Sequence, residues 1–204
     1  MKHALMKVAL VDAGGANLGS VKFALQRLGI EATLTGDADL IREADRVILP
    51  GVSTAGTVMR RLRELDLVET LRNLDKPLLG VCVGMQLLFE GSDEGDVECL
   101  GLLPGRVTRL PAIAGIRVPH MGWNNLLPVR SNSLSAGIGE DDRAYFVHSY
   151  AAPVTSDCVF SCEHGANFAA VVQRGNVAGA QFHPERSAGT GARLLRNFLE
   201  QGLA

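Results

Sequence analysis

Pro77-Leu78-Leu79-Gly80-Val81-Cys82-Val83-Gly84-Met85-Gln86-Leu87-Leu88-Phe89-Glu90 is the stretch around which this chain is organised. It begins as an apolar run suited to a buried strand and reaches a cysteine between Gly80 and Gly84. It then turns helical, with Leu87 and Leu88 following Gly84 at helical spacing and Gln86 and Glu90 as good helix formers. Gly-x-Cys-x-Gly is the thiol version of the strand–nucleophile–helix elbow, whose glycines let a sharp, strained turn lift the nucleophile clear of the sheet. A cysteine at a helix N-terminus also meets the positive end of the helix dipole, which favours the thiolate. Taken alone, the same stretch also fits a buried core cysteine after a strand, because a nucleophile needs a base from elsewhere in the chain.

Upstream of the elbow, strands and helices alternate. Apolar Val8 to Val11 runs into the turn Asp12-Ala13-Gly14-Gly15-Ala16-Asn17, then a helix over 20–28 closed by Gly29. That turn lacks Gly-x-Gly-x-x-Gly, so it is not a dinucleotide loop. A strand over 30–34, a short helix over 39–43 and a strand over 46–49 follow, the last ending at Pro50-Gly51-Val52-Ser53. Leu62, Leu65 and Leu71 mark one long amphipathic helix from about 54 to 74, broken by Asp75-Lys76-Pro77. Short turns between alternating elements predict a mostly parallel, doubly wound α/β sheet.

Downstream the character changes. Glu90-Gly91-Ser92-Asp93-Glu94-Gly95 is polar and Gly-rich, and prolines 104, 111, 119 and 128 separate short β-like pieces, which predicts an antiparallel excursion. Tyr145-Phe146-Val147-His148-Ser149-Tyr150 reads as a strand ending in polar groups, and 168–172 with 177–182 as a hairpin about Gly175-Asn176. A helix over 191–201 ends the pattern. No linker divides it, so residues 1–204 read as one domain.

Composition excludes several classes. Hydrophobic content of 47% with 21% charged residues fits neither a disordered chain nor a membrane protein. A formal net charge of -2 without a basic run argues against nucleic acid as a partner. The apolar run 5–11 is too short to span a bilayer and lacks a cleavage site, which predicts a cytoplasmic protein with reduced thiols. Cys158, Cys162 and His164 lie close in sequence, but they match no zinc spacing. An alternating strand with small buried thiols is the preferred reading, and no metal is expected.

Gln181-Phe182-His183-Pro184-Glu185 supplies what Cys82 lacks. In extended chain, residues i and i+2 face one side, so His183 and Glu185 project together. The carboxylate fixes the imidazole tautomer, and the imidazole takes the thiol proton and later gives it to a leaving amine. Pro184 cannot donate to a sheet ladder, which places the pair at a strand end. A surface turn is the bland alternative. Two independent parts of one mechanism favour a Cys82, His183, Glu185 triad.

With these residues in place, the chain resembles the class I (triad) glutamine amidotransferases. In finer detail it is similar to the glutaminase subunits of imidazole glycerol phosphate synthase, of histidine biosynthesis. The finer likeness rests on Asp12 to Asn17, Pro50-Gly51-Val52, Gly84-Met85-Gln86-Leu87-Leu88-Phe89, Pro119-His120-Met121-Gly122-Trp123-Asn124, Tyr145 to Tyr150 and Gln181 to Ser187. The resemblance implies hydrolysis of glutamine to glutamate and ammonia, with ammonia channelled to a separate (βα)₈ cyclase subunit as heterodimer partner. It implies no cofactor. It makes Cys82 the nucleophile forming a glutamyl thioester, His183 base then acid, and Glu185 its orienting group. Val83 and the Gly51-Val52 strand would meet the oxyanion, while Gln86, Glu94 and the backbone of His148, Ser149 and Tyr150 would grip the substrate. Asn17 and Tyr145 would face the cyclase.

Two departures from the family pattern stand out. Ser53 replaces the usual glycine after Pro-Gly-Val, where glycine eases a peptide flip, and Ala16 replaces a common glycine before Asn17. The rivals are other triad glutaminases, such as that of pyridoxal phosphate synthase. Met121-Gly122-Trp123-Asn124 argues against that subunit, and Met85, where the anthranilate and carbamoyl phosphate glutaminases carry histidine, argues against those. A free-standing cysteine hydrolase and a scaffold with a dead site are the rivals from other classes.

Overall fold

A computed structural model describes residues 6–14, 18–200 and 203. In chain order the first half runs β1 (Val8–Val11), α1 (Leu18–Arg27), β2 (Ala32–Thr35), α2 (Ala38–Glu43), β3 (Arg46–Gly51), α3 (Ala55–Glu64), α4 (Val68–Arg72), β4 (Leu78–Cys82) and α5 (Val83–Gln86). The second half runs β5 (Gly91–Ser92), β6 (Val97–Glu98), β7 (Arg106–Arg109), β8 (His120–Asn125), β9 (Leu127–Pro128), β10 (Arg143–His148), β11 (Tyr150–Ala151), β12 (Cys158–Glu163), β13 (Asn167–Arg174) and β14 (Val177–Ala180). A 3-10 turn over Pro184–Arg186 then leads into α6 (Ala188–Glu200).

Among the described residues the main sheet has eight strands in the order β2-β1-β3-β4-β14-β13-β12-β9. The pairings from β2 to β14 are parallel, and the remaining ones are antiparallel. β1 and β4 are buried at every position, as strands covered by helices on both faces must be. Two smaller sheets, β10-β8 and β11-β7-β5-β6, make up the expected excursion, which is antiparallel except where β5 pairs with β7 in parallel.

Local rules account for most boundaries, and the exceptions have visible physical causes. Gly29, at φ +80°, closes α1, and Ile30 donates back to Leu25, so β2 begins at Ala32 and not at residue 30. The single helix expected over 54–74 is two helices. Asp66 takes φ +54°, its N–H reaches Arg63, and the N–H of Leu67 reaches Leu62. This is a Schellman closure built on aspartate, and no glycine advertised it. Cys158 to Cys162 does not alternate between core and solvent, because every residue from 158 to 162 is buried. The 175–176 hairpin turn joins Arg174 and Val177 as neighbours across the ladder. Gly15, Ala16 and Asn17 lie outside the described residues, and with them the first-turn departure and one expected partner contact.

Candidate active site

β4 delivers Cys82 beside the end of β3, where Gly51 is its register partner. Cys82 itself holds the strained backbone, at φ 55° and ψ -114°, a conformation costing on the order of 1–3 kcal/mol for a residue with a side chain. The two glycines serve a different need from the one expected of them. Neither is among the residues of positive φ. They are required because the elbow folds back onto the sheet. A Cβ on Gly84 would lie 1.8 Å from the carbonyl oxygen of Leu49, and one on Gly80 would lie 2.5 Å from that of Gly84. The helix after the elbow is also shorter than expected, only Val83–Gln86. The carbonyls of Leu87, Leu88 and Phe89 accept instead from the N–H groups of Leu100 to Leu103. A single helical turn, and not a long helix, therefore abuts the sulfur.

His183 and Glu185 come together by a route other than extended chain. β14 ends at Ala180, His183 remains extended, and Pro184 starts the 3-10 turn with its preset φ. The turn swings Glu185 back until its Oε1 lies 2.9 Å from His183 Nδ1, both side chains nearly buried. His183 is further held by its N–H to the carbonyl of Tyr145. Ser187 Oγ donates to the carbonyl of His183 at 2.7 Å and accepts from the N–H of Tyr145 at 2.9 Å. Burial alone would lower the His183 imidazole, but hydrogen bonds and charge from Cys82 and Glu185 outweigh it and raise it from 6.5 to about 10.

A cleft of about 430 Å³ opens over these groups, lined among others by Val52, Ser53, Cys82, Gln86, Glu94 and His183. Gln86 sits at its base. Its Nε2 donates to the Tyr150 carbonyl at 2.8 Å and to Gln181 Oε1 at 3.0 Å, and Gln181 Nε2 faces Cys82 Sγ at 3.9 Å. This leaves Gln86 Oε1 buried without a hydrogen-bond partner among the described residues. Burial lowers His148 to about 3 and His120 to about 4, so both rings are neutral near pH 7. Their tautomers then follow. His148 Nδ1 donates to the Tyr150 carbonyl, so its Nε2 must accept from His120 Nδ1 at 3.1 Å.

Comparison with known proteins turns this geometry into a family assignment. The family description Glutamine amidotransferase class-I matches residues 9–201. The chain belongs to the class-I glutamine amidotransferases. Imidazole glycerol phosphate synthase subunit HisH of Xanthomonas axonopodis pv. citri is 64% identical over 193 residues, covering 95% of this chain and 96% of its own. The protein of that name from Xylella fastidiosa strain Temecula1 is 61% identical over 200 residues, covering 98% and 100%. Two solved structures share the fold. One described as a glutamine amidotransferase has a TM-score of 0.73 at 24% identity, covering 95% of this chain and 97% of that one. PurLQS of Thermotoga maritima has a TM-score of 0.73 at 20% identity, covering 97% and 99%.

In this amidotransferase the expected site residues do not all stand in the same relation to the cleft. Cys82, Val83, Gln86, Glu94, Val52, His148, Ser149, Tyr150 and His183 line it, with Gly51 and Glu185 immediately behind. The His148 ring is committed to Tyr150 and His120, which leaves only its backbone for a ligand. Tyr145 packs edge-on against Trp123 at 6.0 Å beneath the guanidinium of Arg186. Two functional residues escape sequence reasoning: Gln181, whose buried amide links Gln86 to the sulfur, and Ser187, which ties His183 to Tyr145. Their positions within Gln-x-His-Pro-Glu-x-Ser were the available signal.

Proposed function

We propose that the chain is the glutaminase subunit of an imidazole glycerol phosphate synthase, in histidine biosynthesis, acting as a heterodimer with a (βα)₈ cyclase. The observation that carries this reading is the convergence of Cys82 and His183 on one cleft, with Glu185 bonded to His183 behind it, in a chain 64% identical to a subunit of that name. The Cys82 sulfur attacks the side-chain amide carbon of glutamine. The tetrahedral oxyanion is met by the N–H of Val83 and by the Gly51-Val52 segment, where losing one donor costs about 3 kcal/mol. His183 gives its proton to the departing nitrogen as the C–N bond breaks, releasing ammonia and leaving a glutamyl thioester. Water, deprotonated by the same imidazole, then cleaves the thioester to glutamate and restores the thiol. Gln86 forms the floor beneath the substrate, and Glu94 faces its ammonium group. Ammonia passes to the cyclase, whose products are imidazole glycerol phosphate and an aminoimidazole carboxamide ribonucleotide. Thiol and imidazole suffice for this hydrolysis, so we assign no cofactor.

Residues 1–204 are read as one domain, Asn17 and Tyr145 as partner-facing, and the cytoplasm as its location. No helix among the described residues is long and apolar enough to cross a membrane. The test is glutamate release by the isolated chain, then with the cyclase and its ribonucleotide ligand added. Stimulation of about tenfold or more is the expected result. Activation by a different synthase alone would discard the pathway while keeping the triad.

The raised His183 value gives a second expectation. The folded state holds this proton more tightly than the unfolded chain does. The stabilisation is therefore complete below about pH 6.5 and is lost as pH rises toward about 10. Catalysis follows the same proton, since deprotonated His183 cannot protonate the leaving nitrogen. Glu185→Gln removes one cause of the upward shift, so the alkaline limb of the kcat profile moves to lower pH. An unmoved limb would take His183 out of the acid role.

A further inference from the structure

Glu94 has a second occupation besides facing the cleft. Its Oε2 accepts a hydrogen bond from the backbone N–H of Ala55 at 2.8 Å. Ala55 opens α3, so one of the N–H groups that a helix start leaves unpaired is satisfied by a side chain 39 positions away. Thr54 Oγ1 takes the N–H of Thr57 locally. The tether between anchors is short. Gly51 is held by register opposite Cys82, Ala55 is held by Glu94, and only Val52, Ser53 and Thr54 hang between them. Val52 and Ser53 line the same cleft as Cys82 and Glu94.

The loop that presents Glu94 is itself braced. Arg106 pairs with Asp93 at 2.6 Å and with Asp96, and it donates to the carbonyl of Ser92 at 3.2 Å. The N–H of Glu94 bonds to Oγ of the fully buried Ser92 at 3.1 Å. The carboxylate therefore comes from a fixed side of the cleft and reaches across to the far end of the segment that follows Gly51.

We propose that Glu94 is a positioning residue that joins recognition of the substrate's α-ammonium group to the posture of Gly51-Val52-Ser53. The proposal rests on the glutaminase reading above. A carboxylate has two oxygens, so one can keep Ala55 while the other takes an ammonium. An occupied carboxylate is fixed in orientation, and the start of α3 is fixed with it. Arrival of the correct amino end is thereby felt by the backbone that must meet the oxyanion at the amide end.

Two conservative variants, assayed on glutamine as the complex with the cyclase, separate the two duties. Glu94→Gln keeps an acceptor for Ala55 but loses the charge that the ammonium fixes, so KM rises about tenfold or more and kcat falls with it, by about threefold or more. Glu94→Asp keeps the charge but is one methylene short of Ala55, so kcat falls about tenfold with a smaller change in KM. Both variants changing KM alone would overturn the positioning role and leave ammonium recognition standing. Absence of glutamine hydrolysis by the unmodified complex would instead overturn the function on which the proposal depends.

Discussion

Cys82→Ala is expected to lower glutamate release by at least about 10⁴-fold, the scale seen when a triad nucleophile is deleted. The loss should come without unfolding. Cys82 is small and buried, and alanine inherits the same backbone angle with one atom fewer. A urea midpoint close to that of the unmodified chain would separate lost chemistry from lost fold. Labelling sharpens the test. Burial pushes Cys99 and Cys158 up to about 11 and Cys162 up to about 12, so those thiols are nearly all protonated at neutral pH. A glutamine-analogue electrophile should therefore modify one cysteine per chain, and none in Cys82→Ala. Appreciable turnover by the variant, or equal labelling of it, would remove Cys82 from the role of nucleophile.

Gly84→Ala should destabilise the chain by at least about 3 kcal/mol, from overpacking against atoms that cannot turn aside. The new methyl would sit 1.8 Å from the Leu49 carbonyl oxygen, with more backbone of Leu49 and Pro50 close behind. The elbow or β3 must then move, and β3 carries Gly51. Against a total stability of roughly 5–15 kcal/mol, that is a large share. Gly56→Ala makes the contrast. Gly56 lies in the first turn of α3 with nothing within 4 Å of a new Cβ, so alanine should stabilise by up to about 1 kcal/mol. Equal urea midpoints for the two variants would contradict the close approach at the elbow.

The difference between these glycines could not be read from the sequence, where both are simply glycines in or beside helical pattern. Propensity and turn chemistry describe what a residue does to its own backbone. What Gly84 does is leave room for Leu49, 35 positions earlier, and that room exists only once β3 and β4 pair. The same limit explains the helix over 54–74. Its apolar spacing was correct for both halves, but Asp66 in the left-handed region has no stronger local signal than any other aspartate. The short helix after Cys82 is a third case. Leu87 and Leu88 are good helix formers, and they stop because distant N–H groups from 100–103 claim the carbonyls there.

The sequence by itself determined the alternation of strands and helices, the elbow at Cys82, the hairpin at 175–176 and the pairing of His183 with Glu185. Each is specified within a few residues by periodicity, glycine, proline or side-chain chemistry. Only the tertiary structure decided that Cys82 is the strained residue, that a proline-started turn and not a strand brings Glu185 to His183, and that Gln181, Ser187 and Glu94 brace the site. Those relations are contacts between segments up to about a hundred positions apart. Their physical basis is register, excluded volume and the satisfaction of buried donors and acceptors, which come into being only when the sheet has formed.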